Sequence, residues 1–137
     1  MRALAIDFGI KRVGLAVSDP MGILASPFKV IHRTTRDALF EEILQILVDE
    51  KIEVVVVGLP IDLQGEETLI TRQARNFAES LERRTDLAVH MVDERLTSYA
   101  ADTELKEAGL CGKKRKKVLD SQAAVHILRT WLECHLS

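Results

Sequence analysis

A mixed α/β sheet with helices on its faces is the fold class this sequence predicts, and three observations carry it. Two adjacent apolar stretches open the chain with only Gly9-Ile10-Lys11 between them. Segments of helical and strand periodicity then alternate, and positions 54–57 are an uninterrupted run of valine. A hairpin followed by alternating helices and strands requires a sheet with both antiparallel and parallel neighbours. The 137 residues, 47% hydrophobic and 29% charged, fit one domain over 1–137 with a single core. A chain of this length buries roughly 68% of its unfolded surface, enough to stand without staples.

Residues 2–8 and 12–18 read as the first two strands. In the second, Val13, Leu15 and Val17 alternate with Gly14, Ala16 and Ser18, so one face is apolar and the other small. Asp19-Pro20-Met21-Gly22 is a turn cluster, and a third strand is expected near Phe28–His32. Thr35 or Asp37 can cap a helix bearing Leu39, Phe40, Ile43, Leu44, Leu47 and Val48. The valine run has the composition of a strand buried on both faces, and it stops at Gly58-Leu59-Pro60. A loop through Gly65 leads to a helix with Ala74, Phe77, Ala78 and Leu81, and residues 87–92 form another strand. Thr97 can cap a helix ending near Gly109. After a basic loop, a last helix runs from about Val118 to His135, with Ala124, Ile127, Leu128, Trp131 and Leu132 on its apolar face.

The N-terminus is interrupted by Asp7, Lys11 and Arg12, so it lacks the apolar core of a secretion signal. No stretch reaches the ~20 apolar residues of a membrane span. A cytoplasmic protein without membrane association is expected. Cys111 and Cys134 have no metal-ligand spacing and read as thiols of a reducing compartment. A formal charge of −2 excludes a uniformly basic surface, yet Lys113, Lys114, Arg115, Lys116 and Lys117 are contiguous. One concentrated basic segment suffices to engage a polyanion locally.

Three acids on distant segments are candidates for chemistry. Asp7 closes the first strand before Gly9, and the ordinary reading is a carboxylate that ends a strand. The alternative is a metal ligand at the strand's carboxyl end, with Gly9 admitting a phosphate or metal to the backbone. The Asp-Phe-Gly tripeptide is not a kinase signature, because no glycine-rich loop or catalytic-loop motif accompanies it. Asp93 and Glu94 follow a strand, and alternation sends them to opposite faces. Glu94 has the longer reach and is preferred, with Asp93 as the alternative. Asp120 shares a helical stripe with Ala123, Ala124, Ile127 and Trp131. Its ordinary reading is a first-turn aspartate favoured by the helix dipole. The small Ala123-Ala124 pair would let this helix lie close to the sheet. Hard cations such as Mg²⁺ take oxygen ligands, and carboxylates from separate segments suit a divalent-metal phosphodiesterase.

These segments resemble the YqgF family, also called RuvX, a group of RNase H-like proteins related to the RuvC Holliday-junction resolvases. The likeness rests on Ile6-Asp7-Phe8-Gly9-Ile10-Lys11-Arg12-Val13-Gly14, Val57-Gly58-Leu59-Pro60 and Asp93-Glu94-Arg95-Leu96-Thr97. The Lys113–Lys117 run and Asp120-Ser121-Gln122-Ala123-Ala124 complete it, in the family's order and across the whole chain. The resemblance implies an RNase H-like α/β fold: a five-stranded mixed sheet, the first three strands antiparallel, with helices on both faces. It further implies that Asp7, Glu94 and Asp120 converge as catalytic, metal-binding acids for Mg²⁺ or Mn²⁺, as a pair of ions. The activity implied is endonucleolytic processing of the 5′ end of pre-16S ribosomal RNA, with junction resolution as the older proposal. Glu66-Glu67-Thr68-Leu69 is more acidic and poorer in glycine than the family pattern, which bears on the loop path there.

A nucleic-acid partner, structured RNA or branched DNA, agrees with the remaining features. Lys11, Arg12, Arg95 and the Lys113–Lys117 run are candidate phosphate contacts, which position a backbone without reading its sequence. Arg95 and Thr97 are placed to orient Glu94 or substrate. Aromatic residues are only 4% of the chain, which disfavours recognition by base stacking. His90 and His126 are acid-base candidates, although a structural histidine is the commoner case. Two competing readings are an ATPase of the actin and sugar-kinase type and a non-catalytic RNA-binding assembly factor. The first needs a duplicated fold and a second Asp-x-Gly motif, which this chain lacks; the second leaves three acids unexplained. Monomer and homodimer are both compatible with the sequence.

Overall fold

The computed structural model describes residues 1–60, 66–93 and 112–135, with side chains of the last segment described from 122 to 134. In chain order the elements are β1 (Ala3–Phe8), β2 (Arg12–Ser18), β3 (Ala25–His32), α1 (Arg36–Asp49), β4 (Val54–Leu59), α2 (Leu69–Glu82), β5 (Ala88–Asp93) and α3 (Gly112–His135). The five strands form one sheet in the order β3-β2-β1-β4-β5. β1, β2 and β3 pair antiparallel, while β4 runs parallel to β1 and β5 parallel to β4. The mixed sheet with an antiparallel start, and helices on both faces, is therefore as the sequence predicts.

Alternation along the strands sorts the core into two layers. Leu4, Ile6 and Phe8 of β1, Val13, Leu15 and Val17 of β2, and Val55 and Val57 of β4 face α1 and α2. There they meet Leu39, Phe40 and Ile43 from α1 and Ala74, Phe77, Ala78 and Leu81 from α2. Ala3, Ala5, Ala16, Val54 and Val56 face the other way, onto Ala124, Ile127, Leu128, Trp131 and Leu132 of α3. The four valines are at most 3% exposed, so β4 is buried on both faces as its composition requires. Each such side chain contributes about 1.5–3 kcal/mol of transfer free energy. The alanines on the α3 side explain how one long helix lies close over β1, β2 and β3.

Caps and turns fix the element ends. Thr35 is the N-cap of α1, its side chain accepting from the Ala38 N–H at 3.1 Å. Thr68 and Thr71 form a reciprocal capping box at α2. Thr71 is fully buried, and its hydroxyl also donates to the Pro60 carbonyl at 2.5 Å, fastening α2 to the end of β4. In the β2–β3 turn, Asp19 accepts from the N–H groups of Ile23 and Leu24 at 2.7 and 3.0 Å.

β5 runs one residue later than the sequence reading, Ala88–Asp93, so that Asp93 closes the strand, and two boundaries depart by more than one residue. β3 begins at Ala25, three residues early, because Pro27 reads as a strand breaker but sits on an edge strand beside a register shift at Leu15/Ala16. α3 begins at Gly112, so the basic run lies in its first turns and not in a loop. Lysine and arginine are good helix formers, and a helix anchored over many turns extends through them despite the unfavourable dipole. Asp120 therefore sits beyond the second turn, which removes the first-turn dipole reading. The loop through Gly65 and the helix expected from Thr97 to Gly109 lie outside the described residues.

Candidate active site

β1, β3, β4 and β5 all end at one edge of the sheet, where β2 begins. Asp7 lies there, on the same side as Ala3 and Ala5 and hence on the α3 side of the sheet. It is half-buried, whereas the residues before it in β1 are fully buried. Its lateral neighbours are Gly14 on β2 and Gly58 on β4. Neither contributes a side chain, so the carboxylate occupies a row with no Cβ on either flanking strand. That is the geometric meaning of two glycines far apart in sequence, in the Val13-Gly14 and Val57-Gly58 segments.

Gly9 meets a steric constraint within the chain itself. A Cβ at Gly9 would stand 2.5 Å from the carbonyl oxygen of Arg12. The chain's own turn makes this close approach. Lys11 is exposed and Arg12 half-buried. Alternation puts Arg12 on the side of Gly14 and Ala16, shared with Asp7.

On β5 the row through Asp7 and Gly58 continues to Val92, which packs on the α3 side. Asp93 pairs with Leu59, whose side chain belongs to the opposite layer. Asp93 thus points away from the side that holds Asp7. Glu94, Arg95 and Thr97 lie outside the described residues. Position 120 is in α3, as are Lys113, Lys114, Arg115, Lys116 and Lys117, but of these only the backbone is described. Among the described residues no three His, Cys, Asp or Glu side chains form a metal-binding group.

Both histidine candidates are located. His90 is exposed on β5 with its ring 5.6 Å from that of Trp131, a packing contact between strand and helix. His126 is half-buried in α3. Cys134 is an exposed free thiol, and Cys111 lies outside the described residues.

One residue at this edge was missed by sequence reasoning. Arg33 donates from Nη1 to the carbonyls of Gly9 and Ile10, both at 3.0 Å, and its guanidinium lies 4.7 Å from the Phe8 ring centre. Its own N–H donates to the Lys11 carbonyl at 2.9 Å. Arg33 thereby ties the β3–α1 junction to the turn that follows Asp7. These contacts join residues more than twenty positions apart, and no motif or periodicity marks them.

The sheet order and the helices on both faces define an RNase H-like fold. The RuvC of Thermus thermophilus in complex with a Holliday junction substrate has the same fold. The likeness has a TM-score of 0.61 at 16% identity, over 98% of this chain and 97% of that one. The fowlpox virus resolvase with Holliday junction DNA aligns over 100% of both chains, with a TM-score of 0.62 and 11% identity. Within that class the sequence is specific. The family model described as "RuvX: Holliday junction resolvase" matches residues 1–134. A "Putative pre-16S rRNA nuclease" of Maridesulfovibrio salexigens is 65% identical over 132 residues, 96% of this chain and 98% of the relative. A relative of the same name from Oleidesulfovibrio alaskensis is 49% identical over 132 residues, covering 96% and 92%. The chain belongs to the RuvX family.

Proposed function

We propose that this chain is a metal-dependent endonuclease that hydrolyses phosphodiester bonds in the 5′-end processing of pre-16S ribosomal RNA. Asp7, Glu94 and Asp120 are its catalytic acids and the ligands of Mg²⁺ or Mn²⁺, as a pair of ions. The observation that carries this reading is Asp7 itself, a half-buried carboxylate at a strand end with glycine on both flanking strands. A hard oxygen donor with lateral space fits a divalent cation and a phosphate oxygen together. The register of β5 speaks against Asp93, which pairs with Leu59 and faces away from the side of Asp7, and so favours Glu94 as the acid from this segment. Helical periodicity supports position 120, which extends the stripe of the buried Ala124, Ile127, Leu128 and Trp131.

When bound, the ions would supply an activated water and charge stabilisation at the leaving oxygen. The chain's own residues do the positioning. The three acids hold the metal-binding edge, Arg33 keeps the turn after Asp7 in place, and Lys11, Arg12 and Arg95 contact substrate phosphates. The Lys113–Lys117 run adds side-chain charge at a helix N-terminus, where the dipole has the same sign, and so favours a phosphate backbone. A cytoplasmic location goes with this substrate, and no helix among the described residues is long and apolar enough to cross a membrane. One set of acids per chain suits a monomer or a homodimer.

A second reading, resolution of branched DNA, is favoured by the shared fold with two resolvases bound to Holliday junctions. The test is cleavage of a 5′-extended 16S precursor and of a four-way DNA junction, side by side, with Mg²⁺ or Mn²⁺. Metal-dependent cutting of the precursor, lost with Asp7→Asn or Asp120→Asn, is the expected result. Cutting of the junction alone supports the second reading. Equal RNA binding by all variants without any cutting makes the chain a binding module.

A further inference from the structure

A cavity of about 460 Å³ opens at the same sheet edge as Asp7 but on the opposite side, between the starts of α1 and α2. Phe8, Leu39 and Phe77 line its floor, and Arg33, Arg36, Gln73 and Asn76 bring polar groups to it. Its size falls in the roughly 300–1,000 Å³ range of ligand sites. Two features separate it from ordinary surface relief. Its described lining has two guanidinium groups and no carboxylate. Neither arginine is in an ion pair with a described residue: Arg36 bonds the Ser80 hydroxyl at 2.7 Å and Arg33 two backbone carbonyls. A guanidinium carries five N–H donors, so each retains donors beyond these bonds. Two guanidinium cations in one concavity, with no carboxylate in its described lining and amide side chains beside them, suit an anion, and the planar fork of arginine suits phosphate.

The anion is indicated by position. Ile10, on the cavity's rim, is 70% exposed and belongs to the turn immediately after Asp7-Phe8-Gly9. Lys11 follows in the same turn, and Arg12 opens β2. Cations therefore run from the Asp7 side of the sheet, around its edge, into the cavity. We infer that Arg33 and Arg36 seat a backbone phosphate of the substrate strand a short way from the bond cut at Asp7, making this cavity a second anchoring site. The inference rests on the nuclease reading for a bond cut near Asp7 and for the strand being RNA.

The test is RNA binding by the full chain in EDTA, where nothing is cut, as a function of salt. The probe is a fluorescent RNA duplex with a single-stranded 5′ extension. Each lost phosphate contact lowers the slope of log K against log salt by about 0.7–0.9. Arg36→Gln should lower it by that amount, and Arg36→Lys, which keeps the charge, should restore it. Lys51→Asn is the control: Lys51 is exposed between α1 and β4, at the far end of the sheet, and asparagine tolerates its φ of 54°. It should leave the slope unchanged. An unchanged slope in a folded Arg36→Gln protein, whether or not inorganic phosphate binds there, overturns the inference. Cleavage of the same RNA in Mn²⁺ is read separately. Cutting with no effect of Arg36→Gln on the slope removes the cavity's role alone, and binding with the expected slopes but no cutting removes the nuclease alone.

Discussion

Gly9 and Asp19 lie on either side of β2 and answer to different constraints. At Gly9 the constraint is steric: any Cβ meets the Arg12 carbonyl at 2.5 Å, and that oxygen is backbone. Gly9→Ala should cost about 1–3 kcal/mol, the range for forced overpacking, read as a lower urea midpoint at unchanged m-value. At Asp19 the constraint is electrostatic. Hydrogen bonds from the Leu24 and Ile23 N–H groups hold its carboxyl below the ordinary aspartate value. A pKa lowered by folding stabilises the turn above the unfolded value, and this contribution fades as pH falls through the folded one. Amide exchange at Ile23 and Leu24 should therefore accelerate, beyond the intrinsic pH effect, only once acid protonates Asp19; Asp19→Asn should remove that dependence. Equal protection in acid and at neutral pH would contradict it.

At the scale of elements, β4 and α2 act as one unit. The Thr71 hydroxyl is fully buried and shared among the Thr68 N–H, the Thr68 hydroxyl and the Pro60 carbonyl. Thr71→Val keeps the volume and removes the hydroxyl, leaving buried groups without this partner. The expected loss is about 1–3 kcal/mol in chemical denaturation. Because Pro60 follows the strand that carries Gly58, cleavage should fall along with stability. α3 is the other decisive element. Its five leading cations repel one another and the helix dipole, so replacing Lys113, Lys114, Arg115, Lys116 and Lys117 by glutamine should leave stability unchanged or slightly raised. The same change should weaken RNA binding and flatten its salt dependence. Loss of binding with an unchanged salt slope would mean that the run does not meet phosphates.

Across the whole molecule, what was legible in the sequence follows from period and composition. Val54–Val57 announced a strand buried on both faces, and the Val13/Gly14 alternation announced an apolar and a small face. Both patterns arise from local geometry, so both survive in the linear text. The start of β3 did not, because an edge strand tolerates the proline that a central strand excludes. The start of α3 did not, because tertiary anchoring carries the helix through a charge run that local electrostatics disfavours. At the site, the acid at the end of β1 was legible from its strand and its motif. The glycine row beside Asp7 and the Arg33 brace were not, since cross-strand register and a side chain reaching over twenty positions have no local signature. A metal centre shared by Asp7, Glu94 and Asp120, as proposed, is read out by calorimetric titration with Mn²⁺. The unmodified chain should bind Mn²⁺, and Asp7→Asn, Glu94→Gln and Asp120→Asn should each weaken binding by more than about 100-fold, the upper range for outer-shell changes, while Asp93→Asn leaves it unchanged. Undiminished Mn²⁺ binding in any one of the first three, or loss in Asp93→Asn alone, would contradict a metal centre shared by these three acids.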